Sequence, residues 1–269
     1  MDEYRILDLF SGIGGFSLGL ERVEGFKTIA FCESDKHCRK VLRKHWNNVP
    51  IYEDIKELTY ERLKADGVIP TIITSGFPCQ NLSVNGKAEG LGGSKSSLFF
   101  EVVRLVRMVR PRFCILENVS ALLARGMGDV LGEFSKIGYD CEWHCISASS
   151  IGAPHERDRI WIVGYPDSTQ RTRGRSSERV QSGQPESHLR SDCRKARAIL
   201  DYQGFPKEEA WNVKSSLDRV INGIPRQLDR HRLRQLGNAL VPDIPEYIGR
   251  SIIKHEKEQN HNEQKTTDT

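Results

Sequence analysis

The stretch YRILDLFSGIGGFSLGL, residues 4–20, decides the fold class of this chain. Its first seven residues form a short, largely apolar run of the kind that makes a buried strand. A glycine cluster follows at residues 11–15, and the apolar positions of FSLGL then recur at helical spacing. A strand, a glycine-rich turn and a helix in this order are typical of the first unit of a nucleotide-binding α/β sheet.

Short apolar runs recur along the chain and alternate with helical patterns. They lie at residues 28–32, 51–52, 71–74, 113–116 and 160–163. A helix is predicted after the first of these runs, through Trp46, and another over the amphipathic stretch Ser97–Arg110. This alternation predicts an α/β fold with a mostly parallel sheet and helices on both faces.

Composition and charge are those of an ordinary globular enzyme. The 269 residues are 38% hydrophobic and 28% charged, with a net charge of +4. The sequence has no run of about 18 apolar residues, so a transmembrane helix is not expected. The opening segment MDEYRILDLF also lacks the basic and then apolar order of a signal peptide. We therefore expect a protein that stays in the compartment where it is made.

Seven cysteines are scattered without the paired spacing of a disulfide framework. This predicts free thiols in a reducing compartment. Cys141, His144 and Cys145 lie close together in CEWHCIS, but this segment has the pattern of a strand. No second Cys/His pair follows at zinc-ligand spacing, so we expect no metal site there. Cys114, inside the apolar run FCIL, is expected in the core.

The most basic part of the chain is residues 165–234, with 15 lysine and arginine residues against nine acidic ones. A basic stretch confined to one region is an expected footprint of a phosphate backbone. A solvated loop accounts for it equally well, because residues 165–205 are rich in Ser, Arg, Gln and Gly. Regular structure is expected again from Gln235, and the polar residues 256–269 are expected to fray.

Polar residues mark the ends of the first three predicted strands. After the first strand, Gly12, Gly14 and Gly15 would let a ligand approach backbone N–H groups closely. Glu33 ends the second strand, where a carboxylate can accept hydrogen bonds from ribose hydroxyls. Asp54 follows the third strand, where it could hold an adenine amino group. These residues indicate a nucleotide-type cofactor, and their spacing fits AdoMet and NAD alike.

Cys79 lies in GFPCQ, directly after the predicted strand TIIT. Open α/β sheets bind ligands at this carboxyl end of a strand, and Pro78 restricts the backbone just before the thiol. A cysteine is most often a small buried hydrophobe. Here the flanking Pro, Gln and Asn and the glycine-rich loop that follows favour an exposed, functional thiol.

An acid and two arginines follow at later strand ends. Glu117 comes directly after FCIL, hence at the same sheet edge as Cys79. Partial desolvation there would raise its pKa and suit it to donate a proton. Arg157 and Arg159 precede the strand IWIV, and their spacing of two places them on one face, where they can bind an anion or a base oxygen. A surface ion-pair patch is the alternative for the two arginines.

Five motifs occur in a characteristic order along the chain. They are FSGIGG (10–15), GFPCQ (76–80), ENV (117–119), RDRIWIVG (157–164) and LGNALVP (236–242). Together they resemble the motif series of the DNA (cytosine-5) methyltransferase family.

This resemblance covers roughly residues 5–164 and 224–254. It implies a Rossmann-like AdoMet-dependent methyltransferase sheet built from residues 1–164 and 235–255. Residues 165–234 would then form a small, partly irregular target-recognition lobe, reduced in size relative to most of the family. The frayed tail, 256–269, would lie outside both.

The resemblance also implies roles for individual residues. Cys79 would be the nucleophile, Glu117 would contact N3 and N4 of cytosine, and Arg159, supported by Arg157, would contact O2. The residues implied to bind AdoMet are Phe10, Gly12, Ile13, Gly14, Gly15, Glu33, Asp54, Ile55, Pro78 and Asn238. The residues implied to contact DNA are Gln80, Ser83 and Lys87.

Two features depart from the usual family pattern. His155 stands where the family usually has Gln, and the stretch between Gly164 and Gly237 is short. The short stretch is similar to the compact methyltransferases of bacteriophages and mobile elements.

The implied partner is double-stranded DNA, methylated by a monomer in the cytoplasm of a bacterial or phage-infected cell. A cognate restriction endonuclease of the same system is a further candidate partner. An RNA (tRNA) cytosine-5 methyltransferase and a non-catalytic, DNA-binding regulatory relative remain as alternatives.

Overall fold

The apolar runs of the sequence form one mixed β-sheet. The computed structural model describes residues 3–78, 97–153, 157–167 and 239–267. Within these ranges seven strands pair in the order β3-β2-β1-β4-β5-β7-β6. The strands are β1 (Tyr4–Leu9), β2 (Phe26–Cys32), β3 (Ile51–Tyr52), β4 (Ile72–Ser75), β5 (Phe113–Val119), β6 (Tyr139–Ser147) and β7 (Asp158–Pro166).

Helices connect most of these strands. They are α1 (Gly15–Leu20), α2 (Lys36–His45), α3 (Tyr60–Ala65), α4 (Ser97–Val109), α5 (Leu122–Arg125), α6 (Met127–Lys136) and α7 (Asp243–Thr267), with 3₁₀ turns at Ile55–Glu57 and Ala148–Ile151. Local chemistry fixes several starts. Asp35 caps α2 by accepting hydrogen bonds from the N–H groups of His37 (2.7 Å) and Cys38 (3.2 Å). None of the described helices is long and apolar enough to cross a membrane.

The predicted mostly parallel sheet is confirmed for strands β1 to β5. β7 differs, because it lies between β5 and β6 and runs antiparallel to both. The link from β6 to β7, residues 148–157, is short, and its described part begins with a 3₁₀ turn; such a link suits an antiparallel connection, whereas a parallel one needs a longer crossover. From β1 the chain moves to β2 and β3 on one side and returns to β4 on the other. This reversal creates the switch point at which open α/β sheets bind ligands.

Successive side chains of the strands point to opposite faces of the sheet and pack into two cores, one on each face. Leu7, Ile73 and Leu116 pack with α3, α4 and α6 on one face. Ile6, Ile72 and Ile115, their chain neighbours, pack with α1 and α7 on the other. The prediction of helices on both faces is therefore confirmed. Cys114 is fully buried in the first core, as expected for a residue inside FCIL.

The prediction of a frayed tail over residues 256–269 is wrong for most of that range, because α7 continues to Thr267. An apolar stripe of Ile244, Ile248 and Ile252 anchors the helix in the second core. Beyond this stripe, the carboxylate of Glu256 accepts hydrogen bonds from the hydroxyl of Tyr4 and the guanidinium of Arg112. Polar contacts therefore extend the docking past the last apolar residue. β7 likewise runs two residues beyond the expected domain boundary at 164.

A carboxylate lies at the centre of the sheet. Asp8, on β1, is fully buried. Its Oδ1 accepts a hydrogen bond from Thr74 Oγ1 (2.7 Å), and its Oδ2 accepts one from Ser17 Oγ (2.9 Å). Burial raises the pKa of Asp8 to about 7, although both hydroxyls oppose the shift by stabilising the charged form. Sequence reasoning did not single out this residue.

Asp8 should make the free energy of unfolding depend on pH. Its pKa of about 7 in the folded protein lies above the ordinary value of 3.8, so the folded state binds more protons between these values. Stability from this group is therefore greatest below about pH 4 and is lost as the pH rises through 7. Asp8→Asn removes the titration, so urea unfolding at pH 5 and pH 8 should differ less in Asp8→Asn than in the wild type. Equal differences in the two proteins would contradict the assignment.

Candidate active site

The glycine turn after β1 contains three residues in the left-handed region of backbone conformation. They are Phe10 (φ +52°), Gly12 (φ +55°) and Gly14 (φ +89°). The turn is closed by a hydrogen bond from the Gly14 N–H to the Ser11 carbonyl (2.8 Å). Left-handed backbone is unfavourable for a large side chain such as Phe10, and such strain clusters at functional sites.

The three glycines of the turn meet different surroundings. A Cβ placed on Gly12 would meet no atom of the described residues within 4 Å. A Cβ on Gly14 would lie 2.7 Å from the ring of Trp46, and one on Gly15 would lie 2.9 Å from the Leu240 side chain. Packing therefore accounts for Gly14 and Gly15, while Gly12 has space around it in the described part of the chain, which a ligand can enter.

Glu33, at the end of β2, reaches back to this turn. Its carboxylate accepts hydrogen bonds from the N–H groups of Gly12 and Asp35, both at 2.7 Å. Burial raises the pKa of Glu33, and these two hydrogen bonds partly offset that effect. Gly12 and Glu33, which were both predicted to bind the cofactor, are thus in contact with each other.

The predicted adenine-binding residues, Asp54 and Ile55, make different contacts from those of Glu33. Asp54 is exposed and caps the 3₁₀ turn by accepting a hydrogen bond from the Lys56 N–H at 2.9 Å. Ile55, expected at an adenine, is 3% exposed and packs in the first core. The side chain of Ile55 therefore belongs to the core beneath Asp54 and is hardly exposed at the surface.

Strands β4 and β5 bring the GFP and ENV segments together. Their parallel register pairs Ser75 with Leu116. Two residues further along each segment, Asn118 Nδ2 donates a hydrogen bond to the Phe77 carbonyl at 3.0 Å. Pro78, the last described residue of this segment, is exposed at the same edge. Several predicted site residues lie outside the described residues: Cys79, Gln80, Ser83, Lys87, His155 and Asn238.

Glu117 and Arg159 form an ion pair at the ends of β5 and β7. Arg159 Nε donates to Glu117 Oε1 at 2.8 Å. The antiparallel register pairs Val119 with Arg159 and Glu117 with Trp161, so the acid and the arginine are diagonal neighbours on one face. A Cβ on Gly76 would lie 3.6 Å from Glu117 Oε2, which places the carboxylate beside the GFP segment.

The electrostatics of this pair suit an acid. Burial raises the pKa of Glu117, and the positive charges of Arg159 and Arg157 oppose that rise without cancelling it. Burial also lowers the pKa of Arg157, as does the neighbouring charge of Arg159. Both predicted arginines therefore act on the predicted acid. With its raised pKa, the carboxyl group of Glu117 can donate a hydrogen bond or a proton to a ligand atom at the sheet edge.

Two residues that hold the site were not predicted. Asn118 is 3% exposed and ties the GFP segment to β5. Arg39 donates to the Glu33 carbonyl (3.2 Å) and pairs with Glu53 (2.9 Å), which joins the ends of β2 and β3. An amide directly after the predicted acid was a signal for Asn118. For Arg39 the sequence offers none, because its partners depend on how α2 packs.

The cysteine-containing strand shows no metal cluster. Among the described residues, no group of three or more His, Cys, Asp or Glu side chains could hold a metal ion. Cys141 and Cys145 lie four residues apart on β6, and Cys145 is exposed.

The switch point, the glycine turn with its strand-end carboxylate, and the acid–arginine pair at one sheet edge define a Rossmann-like α/β domain of the methyltransferase class. A profile of C-5 cytosine-specific DNA methylases matches residues 4–217. The chain belongs to this family.

Relatives of known name agree with this assignment. The chain is 34% identical over 166 residues to type II methyltransferase M.FnuDI of Fusobacterium nucleatum, a match that covers 60% of this chain and 46% of the relative. It is 27% identical over 266 residues to type II methyltransferase M.NgoBI of Neisseria gonorrhoeae, covering 87% and 82%. The chain thus spans about half the length of several curated relatives it matches, and most of the length of M.NgoBI.

Solved structures share the fold. A prophage-encoded protein of E. coli, described as a DNA modification methyltransferase, is 28% identical with a TM-score of 0.51, over 62% of this chain and 48% of that one. The DNMT2 mutant of Spodoptera frugiperda matches with a TM-score of 0.53 at 18% identity, over 65% of this chain and 54% of that one. At that identity the second likeness concerns the fold alone.

The division of roles among the glycines can be tested by stability alone. Gly12→Ala and Gly14→Ala both place a Cβ on left-handed backbone, which costs about 1–2 kcal/mol. Gly14→Ala also forces a Cβ against Trp46 and should lower the free energy of unfolding by a further 1–3 kcal/mol, roughly the cost of overpacking. Urea unfolding measures both.

A double-mutant cycle locates the clash. In a Trp46→Leu background, Gly14→Ala should cost less than it does in the wild type, because the ring is gone. An unchanged cost in that background, or equal losses for the two alanine variants, would contradict the proposed packing role.

Proposed function

We propose that this chain transfers a methyl group from AdoMet to carbon 5 of a flipped-out cytosine in DNA, with Cys79 as the nucleophile. The observation that carries the proposal is the ion pair of Glu117 and Arg159 beside Gly76. Cys79 follows Gly76 by three residues in the sequence, which supports its assignment as the thiol that acts together with this acid and this cation. Family membership supports the same reaction.

The described cofactor residues fit AdoMet. No described residue crowds the position of a Cβ on Gly12, and the partly buried carboxylate of Glu33 accepts a hydrogen bond from the Gly12 N–H. Such a carboxylate can accept hydrogen bonds from ribose hydroxyls. When bound, AdoMet supplies an electrophilic methyl group. We propose that the residues holding it are Phe10, Gly12, Ile13, Gly14, Gly15, Glu33, Asp54, Ile55, Pro78 and Asn238.

The chemistry explains why these residue types are needed. The Cys79 thiolate adds to carbon 6 of cytosine. The electron pair of the 5,6 double bond shifts to carbon 5 and is delocalised through carbon 4 to N3. Glu117 donates a proton or hydrogen bond at N3 as charge builds there, and Arg159 stabilises O2. Carbon 5 becomes nucleophilic and accepts the methyl group. Loss of the carbon-5 proton then re-forms the double bond and expels Cys79.

Access to the base requires flipping. A cytosine stacked in a duplex exposes neither carbon 6 nor N3 to side chains at a sheet edge, so the base must leave the stack. Gln80, Ser83 and Lys87, in the loop after the nucleophile, would contact the DNA. The guanidinium groups of Arg157 and Arg159 place positive charge beside Glu117. Positive charge near Cys79 would favour the thiolate form of its side chain.

The relatives suggest the biological setting. M.FnuDI and M.NgoBI are named type II methyltransferases. We propose that this chain acts as a monomer on double-stranded DNA in the bacterial or phage-infected cytoplasm, alongside a restriction endonuclease of the same system. One flipped base needs only one active site, so the chemistry does not require a dimer.

Transfer of labelled methyl groups tests the reaction. The full chain is incubated with tritiated AdoMet and either DNA or tRNA, with Cys79→Ser as the control. Label in DNA that Cys79→Ser abolishes is the expected result, since a hydroxyl is a far weaker nucleophile than a thiolate. Label in tRNA alone would move the substrate to RNA, and label in neither would overturn the enzymatic proposal. Bisulfite sequencing of methylated DNA then identifies the target cytosine.

The role of Glu117 can be separated from binding. Glu117→Gln keeps the shape but removes the proton, so kcat should fall by about 10²–10⁴-fold, with the KM for AdoMet nearly unchanged. Activity of the wild type should decline on the alkaline side as Glu117 loses its proton, and Glu117→Gln should lack that decline.

Glu133→Gln provides the matched control, because Glu133 pairs with Lys136 on the outside of α6. It should keep wild-type kcat. A Glu117→Gln variant within threefold of the Glu133→Gln control would exclude an acid role at this position.

A further inference from the structure

The buried carboxylate of Asp8 links the two halves of the proposed site. Ser17, which donates to Oδ2, lies in the first turn of α1, directly after the glycine turn. Thr74, which donates to Oδ1, lies on β4 two residues before Gly76. One carboxylate therefore bonds to the segment that would hold the methyl donor and to the strand that leads towards the nucleophile.

A third hydrogen bond strengthens the cofactor side of this link. Ser11 Oγ donates to the Asp8 carbonyl at 2.5 Å, and the Ser11 carbonyl accepts from the Gly14 N–H at 2.8 Å. Main chain and side chain of Asp8 thus both hold the turn. Ser11, Ser17 and Thr74 are themselves buried.

A carboxylate is an unusual choice for this position. Burying one away from water is unfavourable, and the negative charge of Glu33 adds to the penalty. An apolar residue of similar size would fill the space without that cost. What a carboxylate provides is two acceptor oxygens in a fixed geometry, here matched to two hydroxyl donors on different elements. The presence of a carboxylate here therefore indicates that Asp8 serves to position these two elements more than to stabilise the fold.

We propose that Asp8 is a positioning residue for methyl transfer. It fixes α1 and the glycine turn relative to β4, and hence the methyl donor relative to Cys79. This inference rests on the proposed function. Displacement of reacting groups by about 1 Å can cost about 100-fold in rate while the ligands still bind. The consequence of losing the link should therefore appear in kcat before it appears in cofactor affinity.

Two threonines of the sheet allow a matched test. Thr74→Val removes the hydroxyl that donates to Asp8. Thr28→Val makes the same change on β2, where the Thr28 hydroxyl is also buried but has no hydrogen-bond partner among the residues that the structure describes. Thr74→Ser keeps the hydroxyl and serves as the conservative variant. All are made in the full chain, and urea unfolding checks that each is folded.

The expected result is a split between rate and binding. Thr74→Val should lower kcat about tenfold or more and change the AdoMet Kd, measured by equilibrium dialysis, less than about threefold. Thr28→Val and Thr74→Ser should stay within about threefold of the wild type in both constants. This pattern would support a positioning role, since general damage would not spare cofactor binding.

Three outcomes would overturn the inference. Equal kcat values for Thr74→Val and Thr28→Val would show that the link to Asp8 is dispensable. A parallel loss of kcat, AdoMet affinity and stability in Thr74→Val would indicate a purely structural hydrogen bond. Absence of methyl transfer by the wild type itself would refute the proposed function, and this inference with it, which distinguishes that failure from the other two.

Discussion

The parallel pairing of β4 between β1 and β5 is the constraint on which the site depends. It brings the carboxyl ends of three strands to one edge, so that residues far apart in sequence become neighbours. The glycine turn follows β1, the GFP segment follows β4, and the acid ends β5. Shifting β5 by one residue relative to β7 would turn its side chains to the opposite face of the sheet and move Glu117 away from Arg159. The two cores resist such a shift, because each face carries its own apolar set.

Local patterns were enough to predict much of this arrangement. Apolar runs located the strands, and the motif series placed Glu33, Glu117 and Arg159 at strand ends, where they are found. Each of these features depends on residues within a few positions of one another. The contact between Glu33 and Gly12 was not itself predicted, but it agrees with the same logic, since the ends of neighbouring parallel strands lie side by side.

Features that depend on distant packing could not be predicted in this way. Gly14 and Gly15 belong to a motif associated with ligands, yet their close neighbours are Trp46 and Leu240, one of them more than 200 residues away. The terminal helix extends beyond its apolar stripe because Glu256 accepts hydrogen bonds from Tyr4 on β1 and from Arg112 just before β5. The antiparallel β7 was equally hidden, because a short apolar run has no direction in the sequence.

Three carboxylates, one fully buried and two partly buried, share a raised pKa but differ in their partners, and the partners separate their roles. Glu33 accepts from backbone N–H groups, which are fixed donors, so it suits a binding surface. Glu117 faces guanidinium groups, which moderate its pKa and can also stabilise charge on a substrate. Asp8 accepts from two hydroxyls and from the Ser17 main chain; the hydroxyls can rotate to accept or donate and so tolerate either protonation state. Burial alone therefore does not assign a function to an acid; the donors around it do, and only Glu117 has donors that a reacting base could share.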